Sequence, residues 1–135
     1  MLSLETIGYF TDAPDTQGFP IGLLSLVYST TGNGIVVVGR VGQGDLVRTI
    51  KGAMKGASPL PVESMSAPSF VRGVDFSDHM PYWRRGFPAV MVTDTAFYRN
   101  DRYHTERDTP DTLDYPRMAM VVKGVYAATY ALAAQ

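Results

Sequence analysis

The sequence contains no cysteine. This absence excludes disulfide bonds and thiolate metal sites, so a metal ion bound by this chain would need His, Asp or Glu side chains. Strong positive charge is also missing, because the formal net charge is -1 at pH 7. Binding to the phosphate backbone of nucleic acid requires a basic surface, so the composition argues against a nucleic-acid partner.

Long uninterrupted hydrophobic runs are absent as well. Residues 18–39 carry no charge, but Ser, Thr, Asn and Gly interrupt them, which argues against a membrane-spanning helix. We interpret this stretch as buried strand and loop. The first residues lack the basic region and long apolar core of a signal peptide, and they resemble the middle of a domain. The sequence therefore does not indicate a cellular compartment.

What is present is the composition of a folded protein. The chain has 135 residues, of which 45% are hydrophobic and 19% are charged. These values are typical of a globular protein and unlike those of a disordered chain or a coiled coil. The length predicts a single domain over residues 1–135.

Apolar and β-branched runs predict the strands. Residues 3–9 and 89–92 are short apolar runs bounded by turn residues, and a third short strand is predicted near residues 62–65. Residues 35–38 form an unbroken apolar run between two glycines, which is typical of a central strand covered on both faces.

Helical spacing of apolar residues predicts a helix from Asp45 to about Ala57, a short helix over 78–85 and a last helix from about Pro116. The last helix carries alanines opposite its apolar stripe, so we expect both of its sides to be buried. Alternating strands and helices predict an α/β sandwich with a mostly parallel sheet, in which ligands gather at the carboxyl ends of strands.

The polar loop over residues 94–114 follows one of these strands and contains His104. Neutral imidazole is a common zinc ligand, although a single loop histidine is more often a solvated surface residue. Glu5 lies in a short apolar strand, where an ionised carboxylate is either paired, bound to metal or turned outward at an edge. Two such donors do not complete a zinc site.

The run Ser77-Asp78-His79 is not a catalytic triad, because triad residues come from separate elements and meet only in space. We expect Ser77 or Asp78 to cap a short helix and His79 to make a structural hydrogen bond.

Four short motifs resemble, in order and spacing over residues 73–115, the carboxy-terminal signature of the co-catalytic zinc aminopeptidases, metallopeptidase family twenty-eight: Ser77-Asp78-His79, Gly86-Phe87-Pro88-Ala89-Val90-Met91, Tyr103-His104-Thr105 and Asp108-Thr109. This family includes bacterial leucyl aminopeptidases and is related to glutamate carboxypeptidase and glutaminyl cyclase. The run Leu4-Glu5-Thr6-Ile7-Gly8-Tyr9 resembles the family strand that supplies an earlier zinc ligand, so the resemblance covers nearly the whole chain.

The resemblance implies a role for each matching residue. His104 and Glu5 would be zinc ligands, each for a different ion, and Tyr103 would polarise the substrate carbonyl. The supporting positions would be Asp78, His79 and Asp108. The family commonly has Asp at the position of Glu5, so this sequence departs from its pattern there.

The family's remaining zinc ligands, its metal-bridging aspartate and its general base have no counterpart in these 135 residues. We therefore expect this chain to be the carboxy-terminal part of a zinc aminopeptidase and to be inactive alone. A complete member of the family would hold two zinc ions, whereas this chain should bind zinc weakly or not at all. Its partners would be a peptide substrate in the complete enzyme, a missing amino-terminal half or a second copy. The alternative is a stand-alone, non-catalytic module that self-associates on the same fold.

Overall fold

The computed structural model describes residues 1–134. Four strands and three helices form its framework: β1 (Leu2–Glu5), β2 (Ile35–Arg40), α1 (Gly44–Ala57), β3 (Val62–Ala67), α2 (His79–Arg84), β4 (Val90–Thr93) and α3 (Tyr115–Ala133). Single 3-10 turns lie at Gly22–Leu26, Ala96–Tyr98 and Pro110–Thr112. The predicted strands and helices are all present, with β1 ending earlier and β3 extending further than expected.

The strands form one mixed sheet in the order β1-β4-β2-β3. The pairs β1–β4 and β2–β3 are parallel, whereas β2 and β4 are antiparallel. As a result, the carboxyl ends of β1 and β4 meet at the same end of the sheet as the amino ends of β2 and β3. The predicted α/β architecture is confirmed, and two of the three strand pairs are parallel.

Each face of the sheet has its own core. On one face, Ile35 and Val37 of β2 pack with Ile50 and Met54 of α1 and with Val121 of α3. On the other face, Val38 and Met91 pack with Trp83 of α2. The sheet therefore lies between α1 and α3 on one side and α2 with its flanking loops on the other, as in a partial α/β/α sandwich.

The stretch before β2 differs from our expectation of buried strand and loop. Leu23 and Leu26 are 70% and 79% exposed, and the turn at Gly22–Leu26 contains no buried residue. Its backbone hydrogen bonds are local, such as Tyr28 N–H to Leu24 O at 2.9 Å. Because these backbone groups bond within the turn, the segment does not join the sheet. The absence of charged residues in the segment therefore did not indicate that it is buried.

The last helix is also not buried on both sides. Its buried residues Val121, Gly124 and Ala128 face α1 and the sheet. The other side carries an exposed row, here called the α3 stripe, composed of Tyr115, Ala119, Val122, Tyr126, Tyr130 and Ala133. This face carries few charges, as the sequence indicates, but no other part of the described chain covers it.

The ends of two elements also differ from the predictions. Asp78 precedes α2 but its side chain makes no capping hydrogen bond, and the Ser77 hydroxyl hydrogen-bonds with Ser3 Oγ at 2.6 Å. The predicted cap by Ser77 or Asp78 is therefore wrong. Strand β1 stops at Glu5 because Thr6 adopts a left-handed conformation with φ of 48°. Among the described residues, no helix is long and apolar enough to cross a membrane.

Candidate functional site

Glu5 ends β1 at the shared end of the sheet, and the chain turns sharply after it. The Thr6 hydroxyl donates to Glu5 O at 2.7 Å, and Asp94 N–H donates to Thr6 O at 2.8 Å. This bond ties the residue after β1 to the residue after β4. The turn leaves Glu5 partly buried in the wall of a groove.

Left-handed residues other than glycine concentrate in the segments that follow β1 and β4. Thr6 has φ of 48°, Thr95 of 78°, Ala96 of 47° and His104 of 59°. This conformation costs about 1–2 kcal/mol for a residue with a side chain. Strained backbone of this kind is typical of functional sites, where the surrounding structure holds it in place.

Asp94 supplies part of that surrounding structure. Its side chain is buried and accepts hydrogen bonds from Gly8 N at 3.0 Å, Tyr9 N at 2.8 Å and Ala96 N at 3.1 Å. One carboxylate therefore holds the segment after β1 against the segment after β4. Sequence reasoning missed this residue, although an acid directly after an apolar strand is a signal of a bonded carboxylate.

Arg99 is the second residue that sequence reasoning missed. Its Nη1 donates to Tyr9 O at 3.1 Å and to Gly34 O at 2.9 Å, and its Nε and Nη2 donate to Gln17 Oε1 at 3.0 and 2.7 Å. Burial lowers the pKa of Arg99 to about 10, while the nearby Asp94 opposes that shift. The guanidinium stays charged at neutral pH and ties three points of the segment between β1 and β2 to the loop after β4.

Tyr103 and His104 lie further along the loop after β4 that also carries Arg99. Their rings stack with centroids 3.8 Å apart, and Tyr103 lines the groove that Glu5 also lines. Burial raises the pKa of Tyr103, and the negative charges of Glu5, Asp108 and Asp94 raise it further. The phenol therefore keeps its proton at neutral pH. His104 itself is exposed.

The three predicted supporting residues lie in two places. Asp108 is exposed and accepts a hydrogen bond from Asn100 Nδ2 at 3.2 Å, within the loop that carries His104. His79 is fully buried under the sheet, where its Nε2 donates to Val74 O at 2.7 Å and its ring packs edge-on against Trp83. The predicted structural hydrogen bond of His79 is present, and Asp78 stands beside it at the start of α2.

The groove is open and mainly apolar. Val36 and Val38 of β2, Met65 of β3 and Met91 of β4 form its floor. Its walls come from the segment before β2 and from the loop after β4, including Phe19, Leu24, Tyr28, Phe97 and Tyr103. Such a groove can hold an apolar side chain next to the polar groups at its rim.

The donor set of the described residues fits only part of a zinc site. Imidazole and carboxylate are ordinary zinc ligands, but a closed or catalytic site needs about three or four protein donors. Within residues 1–134, no group of three or more His, Asp or Glu side chains is placed to hold a metal ion. Glu5 and His104 would therefore need donors from outside this chain.

Some known proteins are similar to this chain in sequence, and others are similar in fold. The sequence model of Peptidase family M28 matches residues 29–129. The protein YfbL of Escherichia coli strain K12, described only as uncharacterized, is 47% identical over 130 residues, which cover 96% of this chain and 40% of YfbL. This chain thus spans well under half the length of that relative.

Two solved structures from Legionella pneumophila have a similar fold. The LapA aminopeptidase is 20% identical with a TM-score of 0.65, and the match covers 99% of this chain and 31% of LapA. LapB is also 20% identical, with a TM-score of 0.61 over 97% of this chain and 31% of LapB. The resemblance found in the sequence motifs is confirmed, and the chain belongs to peptidase family M28.

Proposed function

We propose that this chain is the carboxy-terminal part of a zinc-dependent aminopeptidase domain, to which it contributes Glu5 and His104 as metal ligands. The complete domain would hydrolyse amino-terminal peptide bonds. The observation that carries this proposal is the convergence of Glu5 and the Tyr103–His104 loop at one end of the sheet, beside an apolar groove. Membership of a peptidase family supports the same reaction class.

Tyr103 has the protonation state needed for its proposed role. A phenol that keeps its proton can donate a hydrogen bond to a peptide carbonyl oxygen as negative charge develops there. Burial and the carboxylates around Tyr103 both raise its pKa and so preserve that proton. Asp94 and Arg99 would act as positioning residues, because they hold the loops that carry the two ligands.

The groove favours substrates with an apolar amino-terminal residue. Its floor is made of valine and methionine side chains, so a leucine or phenylalanine side chain would lose its hydration there at a gain of about 1.5–3 kcal/mol. A charged side chain would lose hydration without gaining a partner on that floor.

The chain alone would lack activity, since two donors bind zinc weakly and the remaining ligands and general base must come from elsewhere. Asp78, His79 and Asp108 would support the fold around the site. The exposed α3 stripe is the observation that favours the alternative function, a non-catalytic module that associates with itself.

A chimera tests the proposal: YfbL in which the region matched by this chain is replaced by this chain. We expect zinc-dependent hydrolysis of leucyl para-nitroanilide, with kcat/KM lowered about 100-fold or more by His104→Asn because a ligand is lost. Asparagine tolerates the left-handed backbone of His104, so the loop should keep its shape.

Glu106→Gln is the matched control, since Glu106 is an exposed residue of the same loop. It should leave kcat/KM unchanged. A chimera that folds but shows no zinc-dependent hydrolysis, or one in which His104→Asn retains full activity, would contradict the proposal.

A further inference from the structure

Four charged side chains line the groove, and three of them have a partner or a role. Glu63 pairs with Lys51 at 3.1 Å, Arg99 bonds to the segment between β1 and β2, and Glu5 is the proposed metal ligand. The fourth is Arg72, whose guanidinium makes no ion pair and donates no hydrogen bond within residues 1–134. It is therefore a cation available to a ligand of the groove.

The backbone at Arg72 is fixed against the loop after β4. The Tyr98 hydroxyl donates to Arg72 O at 3.1 Å. Gly73 has φ of 88°, a conformation that glycine adopts without strain, and a Cβ atom there would lie 3.4 Å from the rings of Phe97 and Tyr98. The chain thus packs closely on these two rings, and Arg72 extends from a defined point of the groove wall.

The guanidinium of Arg72 lies over an aromatic ring of the same wall. Its Cζ is 4.9 Å from the centroid of the Phe97 ring, and the Phe97 centroid is 5.9 Å from that of Tyr103. A guanidinium stacked on a ring keeps the N–H groups at its edge free for a carboxylate. Arg72 is therefore one ring away from the tyrosine that would bind the scissile carbonyl.

This spacing suits a carboxylate on the residue that follows the scissile bond. Successive Cα atoms of a peptide are about 3.8 Å apart, and a guanidinium binds a carboxylate through hydrogen bonds of about 2.7–2.9 Å. One residue of substrate therefore spans the gap between Tyr103 and Arg72. A substrate whose scissile carbonyl bonds to Tyr103 has the next carboxylate within reach of Arg72.

A carboxylate on the first residue of the substrate fits less well. The first side chain would occupy the floor of the groove, where valines and methionines offer a charge no partner. Arg72 lies instead on the wall, beside Phe97.

We propose that Arg72 is a specificity-determining residue that binds a carboxylate on the second residue of the substrate. This inference rests on the proposed function. The carboxylate has two sources, the free carboxyl terminus of a dipeptide and the side chain of an acidic second residue in a longer peptide. A planar guanidinium binds either one through two parallel hydrogen bonds.

Peptide binding to the zinc-free YfbL chimera, measured by calorimetry, tests this role without turnover. We expect leucyl-alanine to bind about tenfold or more tightly than leucyl-alaninamide, which lacks the carboxylate, because charge-assisted hydrogen bonds are the strong ones. Arg72→Gln should weaken binding of leucyl-alanine to the level of leucyl-alaninamide. Arg72 is exposed, so the variant should fold normally, and its Tm checks this.

A third peptide, the α-amide of leucyl-glutamate, carries its carboxylate only on the side chain. Binding as tight as that of leucyl-alanine would show that Arg72 accepts an acidic second residue. Binding as weak as that of leucyl-alaninamide would restrict the role of Arg72 to the free carboxyl terminus of dipeptides.

Arg85→Gln is the matched control, because Arg85 is an exposed arginine directly after α2 that does not line the groove. It should leave the preference for leucyl-alanine unchanged. Equal affinities of the chimera for leucyl-alanine and leucyl-alaninamide, or a preference that survives Arg72→Gln, would overturn the proposal. So would tighter binding of glutamyl-alaninamide than of leucyl-alaninamide that Arg72→Gln abolishes, because Arg72 would then bind the first residue.

The binding readout needs neither zinc nor hydrolysis. A chimera that shows the carboxylate preference but no peptidase activity therefore upholds the role of Arg72 and contradicts only the proposed function. In an active chimera, Arg72→Gln should lower kcat/KM about tenfold more for leucyl-alanine than for leucyl-alaninamide.

Discussion

The buried His79 has a consequence for stability that can be measured directly. Burial lowers the pKa of His79 below 6.5, although the Val74 carbonyl and the charges of Asp75, Glu5 and Asp78 oppose the shift. As pH falls below 6.5, the unfolded chain takes up a proton at this residue before the folded chain does. The unfolded state is then favoured, so the folded protein loses stability as pH falls.

We predict that the free energy of unfolding, measured with urea, falls by about 1 kcal/mol between pH 7.5 and pH 5.5, since each pH unit contributes at most about 1.4 kcal/mol per proton. His79→Gln should reduce this pH dependence, and His104→Asn, which removes the other histidine, should retain it. The same loss of stability in His79→Gln would show that another group is responsible.

Single residues also show where sequence reasoning reached its limit. His104 could be placed at one end of the sheet from the sequence, because its loop follows an apolar strand. Glu5 was expected inside a strand over residues 3–9, whereas β1 ends at this residue. Arg99 could not be assigned a role, since its partners Tyr9 and Gly34 lie 90 and 65 residues away. Contacts over such distances exist only once the strand order is known.

At the scale of elements, the packing of α1 on β2 depends on a glycine. A Cβ atom on Gly39 would lie 2.3 Å from Val47 Cγ2, closer than any real contact. The strand and helix approach closely there because Gly39 has no side chain. The contact is therefore sensitive to a single added methyl group.

We predict that Gly39→Ala destabilises the chain by about 1–3 kcal/mol, because the core must shift to accept the added methyl group. Gly52→Ala is the matched control within α1, where an added Cβ meets nothing within 4 Å. It should stabilise the chain by about 0.5–1 kcal/mol through helix propensity. Thermal or urea unfolding measures both, and equal effects of the two substitutions would disprove the packing role of Gly39.

The elements that the sequence predicted well are those with strong local patterns. Strand β2 reads as central because Ile35, Val37 and Val38 are all apolar, and all three are buried. The segment before β2 has the same apolar character but forms an exposed turn. Its burial depends on what packs against it, and no local pattern carries that information.

At the scale of the whole molecule, two incomplete features lie at the same side of the sheet. The candidate metal centre has two donors from this chain, and β1, the strand that carries one of them, has an unpaired edge within the described residues. Under the proposed function, the remaining part of the peptidase domain would supply the missing donors. A chain that spans 40% of YfbL is consistent with that arrangement.

The measurement that tests the central claim most directly is zinc titration by calorimetry of two proteins, the isolated chain and the YfbL chimera. We predict weak binding to the isolated chain without defined stoichiometry, and stoichiometric binding to the chimera that is weakened at least about tenfold by Glu5→Ala and by His104→Asn. Tight stoichiometric zinc binding by the isolated monomeric chain, or binding by the chimera that ignores both substitutions, would contradict the account.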